Sequence, residues 1–172
     1  VDYRDDQPVA HSGKLAKTQM QMNFSAHERA RARRFAMQAL YQWDLSGTDL
    51  PLIRRQFLEA EDFSRADQKY FIELLSELPK QVDVIDANIS AYIDRPVVQL
   101  DPVERAVLRL AVYELLYRPD IPYRVTINEA VQLTKKFGAV QGHAYVNGVL
   151  DKAAHKLRSA ECLRAGKQSA GR

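Results

Sequence analysis

Apolar residues recur every three or four positions through most of the chain, and this period predicts amphipathic α-helices. The first clear apolar stripe consists of Ala32, Phe35, Ala36, Ala39, Leu40 and Trp43. On a helical wheel of about 100° per residue these side chains share one face, while Arg31, Arg34 and Tyr41 lie opposite. We expect the stripe to face the core of a first helix that ends near Leu45.

Capping signals predict where several helices begin. A hydroxyl or carboxylate at the N-cap, followed three residues later by an acidic residue, satisfies backbone N–H groups that a helix start leaves free. This spacing occurs at Ser25 and Glu28, Ser64 and Asp67, Asp101 and Glu104, and Thr126 and Glu129. Together with breaks at Gly and Pro, these signals predict seven helices at about 25–45, 51–61, 64–78, 80–93, 102–117, 126–137 and 140–157.

The predicted fold class is all-α, with about seven helices in two small packed bundles, because no alternating strand pattern of useful length occurs. We expect one domain at 25–158, with subdomains at about 25–95 and 100–158 on either side of Arg95-Pro96. Residues 1–24 and 159–172 lack an apolar period, so both ends are predicted to be disordered.

Composition and charge fit an ordinary soluble protein. The 172 residues are 46% hydrophobic and 27% charged. A formal net charge of +3 is small, so any contact with a polyanion must come from local clustering of cations. The single cysteine, Cys162, and the absence of a long apolar run favour a reducing compartment, and we expect a cytoplasmic protein.

Residues suited to catalysis, metal binding or cofactor binding are sparse. The four histidines have no zinc-ligand spacing, and the glycines do not form a phosphate-binding loop. The acidic residues with distinctive spacing are explained by helix capping. We therefore predict a protein that is not an enzyme and has no metal site and no cofactor.

The densest run of charge lies at the start of the first helix and consists of Arg29, Arg31, Arg33 and Arg34. Guanidinium groups offer forked donors that match phosphate oxygens. A solvated helix face is the simpler explanation for such a run. Cations near a helix N-terminus are unfavourable for the helix itself, however, and this favours a functional reason for the cluster.

Two tyrosines are candidates for contacts with partners. Tyr145 in the last helix aligns with Gln141, Lys152 and Lys156, away from the apolar stripe. A ring among cations is typical of a site that stacks an unpaired base, a contact worth about 1–3 kcal/mol. The alternative is a tyrosine that covers the edge of the core, and the wheel does not decide between the two. Tyr41 faces away from the first apolar stripe, as a partner contact would.

Three segments resemble the family of the bacterial transcription antitermination factor NusB. They are FAMQALYQWDLSG, DPVERAVLRLAVYELLYRPDIPYRVTINEAVQLTKKFG and YVNGVLDK, within a match of about residues 27–157. The resemblance implies an all-helical, non-catalytic protein that binds single-stranded boxA RNA together with NusE, a small-subunit ribosomal protein. It also implies assembly with NusA, NusG and RNA polymerase, notably in ribosomal RNA operons.

The resemblance also implies roles for individual residues. The residues that would bind RNA are Arg29, Arg31, Arg33, Arg34, Gln141, Tyr145 and Lys152. The arginines would hold phosphates and Tyr145 would stack on a base. Tyr41 and Glu104 match positions expected at the NusE contact, so Glu104 is both a capping candidate and a partner candidate. Position 141 is often acidic in related chains, and Gln141 is therefore expected to alter RNA affinity or its regulation.

Two other functions remain open from the sequence. One is the RNA-recognition module of an rRNA cytosine methyltransferase, whose N-terminal domain resembles NusB; we expect neither its cofactor-binding domain nor its catalytic cysteine in these residues. The other is a helical scaffold that binds only protein, in which Tyr145 and the arginines would not affect RNA. The chain could be a monomer or a homodimer, and a dimer that buries the arginine face would compete with RNA.

Overall fold

The computed structural model describes residues 12–170, with side chains described from residue 26 to residue 169. The described residues form eight α-helices and three short 3-10 helices, with no strand among them. In chain order these are α1 Ser12–Ser46, α2 Leu50–Leu58, η1 Glu61–Arg65, α3 Gln68–Glu77, η2 Pro79–Gln81, α4 Val82–Ser90, η3 Val97–Gln99, α5 Pro102–Tyr117, α6 Tyr123–Phe137, α7 Gly142–Leu157 and α8 Ser159–Ala170. The predicted all-α fold is confirmed, and the seven predicted helices correspond to α1–α7.

The first packed group is formed by α1, α2, η1 and α3. Its centre is an aromatic cluster of Phe35, Phe57, Phe63 and Phe71, whose neighbouring ring centroids lie between 4.7 and 6.0 Å apart. Edge-to-face and tilted contacts at this spacing add to the stabilisation from burial of apolar area. The apolar stripe predicted for the first helix therefore does face the core, with Trp43 at its partly buried end.

The second group is built around α5, which packs against α4, α6 and α7 and also against α1. From Arg105 to Leu115 nearly every residue of α5 is buried, because the helix has neighbours on all sides. Since α1 contacts α2 and α3 as well as α5, the two groups share one continuous core. The fourth helix, α4, packs on α5 and α7, so the groups divide between α3 and α4, whereas the sequence predicts a seam near residue 95.

The predicted start of the first helix at Ser25 is wrong. Helix α1 begins at Ser12 and continues through Ser25 and Glu28. Residues 12–24 contain no proline and are mostly good helix formers such as Lys, Leu, Ala, Gln and Met, so nothing in their propensity ends the helix. Residues 12–24, for which the sequence predicts disorder, belong to α1, and residues 1–11 lie outside the described part of the chain.

Two of the predicted capping pairs are also wrong. Helix α3 is capped by Asp67, whose Oδ1 accepts a hydrogen bond from the backbone N–H of Tyr70 at 3.0 Å, and Ser64 lies in the preceding 3-10 helix. Helix α6 begins at Tyr123, directly after Pro122, so Thr126 lies inside the helix. The start at Asp101 is confirmed, because its carboxylate accepts from the backbone N–H groups of residues 103 and 104.

The sequence predicts disorder after residue 158, whereas the structure has α8 at Ser159–Ala170, packed on α7. Residues 171–172 lie outside the described part of the chain. Arg158 joins the two helices and donates hydrogen bonds at 2.7–3.3 Å to the backbone carbonyls of Glu114, Leu115, Arg118 and Ile121. It also pairs with Glu161 at 2.7 Å. Glu161 in turn accepts from the backbone N–H of Tyr123 at 2.9 Å, which supplies the cap that α6 lacks.

Candidate RNA and partner interface

The four arginines predicted to bind phosphate do not share one surface. Arg33 is only 3% exposed, and its Nε donates to Glu114 at 2.6 Å. Arg29 is half-buried, donates to Asp67 at 3.0 Å and lies 4.2 Å from the centroid of the Tyr70 ring. The predicted phosphate contact of Arg33 is therefore wrong, because its guanidinium is enclosed and neutralised in the core.

The partner of Arg33 is a fully buried carboxylate. Glu114 on α5 accepts hydrogen bonds from Arg33, from the Tyr70 hydroxyl, and from the Thr126 hydroxyl at 2.8 Å. Burial, together with the negative charge of Glu114, raises the pKa of Tyr70 far above its usual range, so the phenol remains a donor. This network links α1, α3, α5 and α6 and leaves no oxygen of the buried carboxylate without a donor.

Arg31 and Arg34 lie on the other side of α1, where they line a surface groove of about 480 Å³ with η1. The lining residues are Arg31, Arg34, Glu61, Asp62, Ser64 and Arg65; we call this the η1 groove. The Arg34 guanidinium lies 4.6 Å from the centroid of the Phe35 ring, and its enclosed Nε has no hydrogen-bond partner in the described structure. The RNA contact of these two arginines stays a prediction, and Arg65 lies beside them on a segment where the sequence gives no signal.

Tyr145 on α7 is half-buried and lies against the connection between α4 and α5. Its hydroxyl lies 3.4 Å from Asp94 Oδ1, and the Arg95 guanidinium lies 5.6 Å from its ring centroid. Arg95 also pairs with Asp94 at 2.9 Å, and this hydrogen bond lowers the pKa of Asp94. Burial, followed by the charge of Asp94, raises the pKa of Tyr145. The cation on the ring is thus Arg95, which sequence reasoning missed because it comes from a different element.

The structure places Glu104, a predicted partner contact, against Gly142 at the start of α7, and its charge adds to the raised pKa of Tyr145. A Cβ atom on Gly142 would lie 2.6 Å from Glu104 Oε1, so the glycine allows the carboxylate to pack against the first turn of α7. Burial raises the pKa of Glu104, and the charge of Asp101 adds to this. Within the described residues the carboxylate accepts no hydrogen bond, so the predicted reciprocal capping bond of Glu104 is absent. Its acceptor capacity remains available for a partner.

Gln141 and Lys152 are both exposed on α7 or at its start, as an RNA contact requires. Gln141 is the N-cap residue of α7 and lies beside Gly142, next to Glu104. We call Asp94, Arg95, Glu104, Gln141 and Tyr145 the Tyr145 site. The residues of this site come from α5, α7 and the α4–α5 connection, whereas the η1 groove lies between α1 and η1.

Tyr41 is 37% exposed on α1, one turn before an ion-pair network. Asp44 in that network pairs with Arg105 at 2.7 Å and with Arg109 at 3.3 Å, and Arg109 also pairs with Asp86 at 2.8 Å. These contacts hold α1, α4 and α5 together, so the two α5 arginines do not form a free basic patch. They fix the backbone that presents Tyr41.

Other kinds of site find no support in the described part of the chain. No group of three or more His, Cys, Asp or Glu side chains there could hold a metal ion. Within residues 12–170, none of the helices combines the length and the apolar character needed to cross a membrane.

Comparison with known proteins identifies the family. A model of the NusB family matches residues 30–155. The chain is 47% identical over 136 residues to the transcription antitermination protein NusB of Nitrosococcus oceani, covering 79% of this chain and 91% of that relative. It is 50% identical over 133 residues to the protein of the same name from Alcanivorax borkumensis, covering 77% of this chain and 89% of the relative.

Solved structures agree with the family model. T. maritima NusB superposes with a TM-score of 0.65 at 34% identity, over 73% of this chain and 89% of that one. A crystal structure described as antitermination factors NusB and NusE in complex with dsRNA contains a chain that superposes with a TM-score of 0.68 at 28% identity. That match covers 74% of this chain and 96% of the other. By sequence and by fold, the chain belongs to the NusB family.

Proposed function

We propose that this protein is a transcription antitermination factor that binds single-stranded boxA RNA together with NusE. Membership of the NusB family supports this, and the similarity to a chain crystallised with NusE and dsRNA supports binding of RNA and of NusE. The matched relatives are named as transcription antitermination proteins, and this membership confirms the prediction that the protein is not an enzyme. We further propose that it acts with NusA, NusG and RNA polymerase, notably on ribosomal RNA operons, in the cytoplasm.

The half-exposed ring of Tyr145 is the observation that carries the RNA-binding part of the proposal. A planar ring with a guanidinium beside it can stack on one unpaired base while Arg95 contacts a neighbouring phosphate. Gln141 and Lys152 would add polar contacts from the same helix. Unpaired bases are required because a base within a duplex is already stacked on both faces, so we propose single-stranded boxA RNA as the ligand of this site.

Tyr41 and Glu104 are the residues we propose for the NusE contact. Glu104 offers a partly desolvated carboxylate without a hydrogen-bond donor in the described residues, and a donor on a partner would stabilise its charged form. Tyr41 offers an exposed ring on a helix held in place by the Asp44 network. Because Glu104 lies near Tyr145, RNA bound at the Tyr145 site would be close to the proposed protein partner, which accounts for joint binding.

These observations argue against the first alternative function and leave the second to experiment. The chain covers 91% of the length of the Nitrosococcus oceani antitermination protein, which favours that function over a module of an rRNA methyltransferase. The protein-only scaffold differs from our proposal in its consequence for RNA. It predicts that NusE binds while changes at Tyr145 leave RNA binding unaffected.

The decisive experiment measures binding of a labelled boxA-like RNA with and without NusE, across a salt series. Tyr145→Ala is expected to weaken RNA binding by about 1–3 kcal/mol, because a stacked base is lost. The slope of log affinity against log salt is expected to be about 0.7 per phosphate contacted by the wild type. NusE is expected to tighten RNA binding.

Tyr117→Ala is the matched control, since Tyr117 is 39% exposed on α5 and packs beside Tyr113. It should leave RNA affinity unchanged. If NusE binds while RNA binding is absent, the protein-only scaffold is the better account. If the two tyrosine variants bind RNA equally well, Tyr145 is not the RNA contact.

A further inference from the structure

The η1 groove contains three guanidinium groups that no described carboxylate neutralises. Arg31, Arg34 and Arg65 line the groove, yet none of them forms an ion pair with a described residue, although Glu61 and Asp62 line the same groove. Arg29 and Arg33, only a few residues away on α1, are paired with Asp67 and Glu114. Of the arginines at the start of α1, those in the groove are therefore the ones without a described carboxylate partner.

Arg34 is held in position by packing instead of by a counter-charge. Its guanidinium lies over the Phe35 ring, and its enclosed Nε has no acceptor in the described structure. A guanidinium fixed against an aromatic ring loses little conformational freedom when its remaining N–H groups bind an anion. The groove thus has one preorganised cation, and Arg31 and Arg65 are available beside it.

We propose that the η1 groove binds one ribonucleotide unit of an RNA strand, with its phosphodiester on Arg31, Arg34 and Arg65 and its ribose 2′-hydroxyl on Glu61 or Asp62. Arg65, Glu61 and Asp62 are the residues that this adds to the RNA-binding surface. The assignment rests on the proposed function, because it extends RNA binding from the Tyr145 site to a second location on the protein.

The charge of the groove fits a phosphodiester. Three arginines and two carboxylates give a net charge of 3 − 2 = +1, which balances the single negative charge of one backbone phosphate. The two carboxylates can only accept hydrogen bonds at neutral pH, and the 2′-hydroxyl is the donor that RNA has and DNA lacks. An all-DNA strand would bring its phosphates to the same arginines and leave the carboxylates without a donor, so no hydrogen bond would offset their repulsion of the phosphates.

Arg65→Ala tests the phosphate contact. With a boxA-like RNA, NusE and the full chain, the variant is expected to weaken binding and to lower the slope of log affinity against log salt by about 0.7, the contribution of one phosphate on a single strand. Arg55→Ala is the control, because Arg55 is an exposed arginine on α2 whose partner is Glu59, the C-cap residue of that helix. It should leave affinity and slope unchanged, and both variants should bind NusE like the wild type.

The double variant Glu61→Ala and Asp62→Ala tests the ribose contact. Removing two negative charges should raise affinity for an all-DNA strand of the same sequence, while the ratio of RNA affinity to DNA affinity should fall. An unchanged ratio overturns the ribose assignment.

The two levels of the proposal fail in different ways. If the wild type binds RNA through Tyr145 and Arg65→Ala matches Arg55→Ala, the groove assignment is wrong and the proposed function stands. If Arg65→Ala weakens binding of NusE in the absence of RNA, the groove is a protein contact and the assignment is wrong. If the wild type binds no RNA, both are wrong.

Discussion

Arg33 is buried in the core although it belongs to the most basic stretch of the chain. Its guanidinium balances a carboxylate, Glu114, that would otherwise be a lone charge out of contact with water. A buried pair of this kind adds little compared with apolar residues of the same shape, but loss of one member is costly because the other remains. The role of Arg33 is therefore structural, and the role of its neighbours Arg31 and Arg34 is open to a ligand.

Arg33→Ala is expected to lower the free energy of unfolding by about 3–5 kcal/mol, because Glu114 stays buried without its counter-charge. Arg31→Ala should change stability by no more than about 0.5 kcal/mol, as for other surface positions. Urea unfolding followed by circular dichroism measures both. Equal stabilities for the two variants would show that Arg33 does not hold the network.

The helical period could separate the two tasks of the arginines, but it could not name their partners. On a wheel, Arg29 and Arg33 lie within about 20° of Leu40, whereas Arg31 lies about 180° away and Arg34 about 120° away. The inward pair was thus predictable from the sequence. Glu114, which is 81 positions from Arg33, was not, since only the packing of α5 on α1 brings the two together.

At the scale of the elements, Arg158 and Glu161 close the turn between α5 and α6 from outside. Arg158 donates hydrogen bonds to carbonyl groups at the end of α5, and Glu161 accepts one from an N–H group at the start of α6. Both helix ends would otherwise leave polar groups without partners, since α6 follows a proline and has no side-chain cap of its own. Helix α8 is therefore part of the packed structure although the family model ends at residue 155.

Arg158→Ala is expected to lower the free energy of unfolding by about 2–4 kcal/mol, because several partly buried carbonyls lose a charged donor at once. Arg164→Ala, an exposed position on α8, should have an effect below about 0.5 kcal/mol. Both are measured by urea unfolding. A loss for Arg158→Ala no larger than that for Arg164→Ala would mean that α8 is not needed to close the turn.

The helix starts illustrate which part of the fold local sequence could predict. Asp101 caps α5 as expected, and Pro102 suits the first helical position because its missing N–H would be unpaired there in any case. The same acidic spacing at Thr126 gave a wrong start. Thr126 is buried, and its hydroxyl donates a hydrogen bond to Glu114 on α5. The residue that the pattern assigns to a cap therefore makes a tertiary contact instead. The prediction for the Tyr145 site was incomplete for a similar reason. Arg95, the cation beside the ring, lies on the α4–α5 connection and not on the helix of Tyr145.

At the scale of the whole molecule, three polar links tie the two packed groups together. The Glu114 network joins α1 and α3 to α5 and α6, the Asp44 network joins α1 to α4 and α5, and Arg118 at the end of α5 pairs with Glu73 on α3 at 2.9 Å. The hydrogen bond of Arg118 to Asp120, together with its pair with Glu73, raises the pKa of Arg118. With α1 packed on both groups, neither group can lose its structure without exposing the core of the other.

We therefore expect a single cooperative unfolding transition. Trp43 is the only tryptophan, and it packs at the edge of the core near the end of α1, so its fluorescence reports on the first group. Far-ultraviolet circular dichroism reports on all the helices, most of which belong to the second group. The two signals should give the same urea midpoint and slope, because one core supports both groups. Separate midpoints would mean that the groups unfold independently, as subdomains divided along the chain would, and that the three polar links are too weak to couple them.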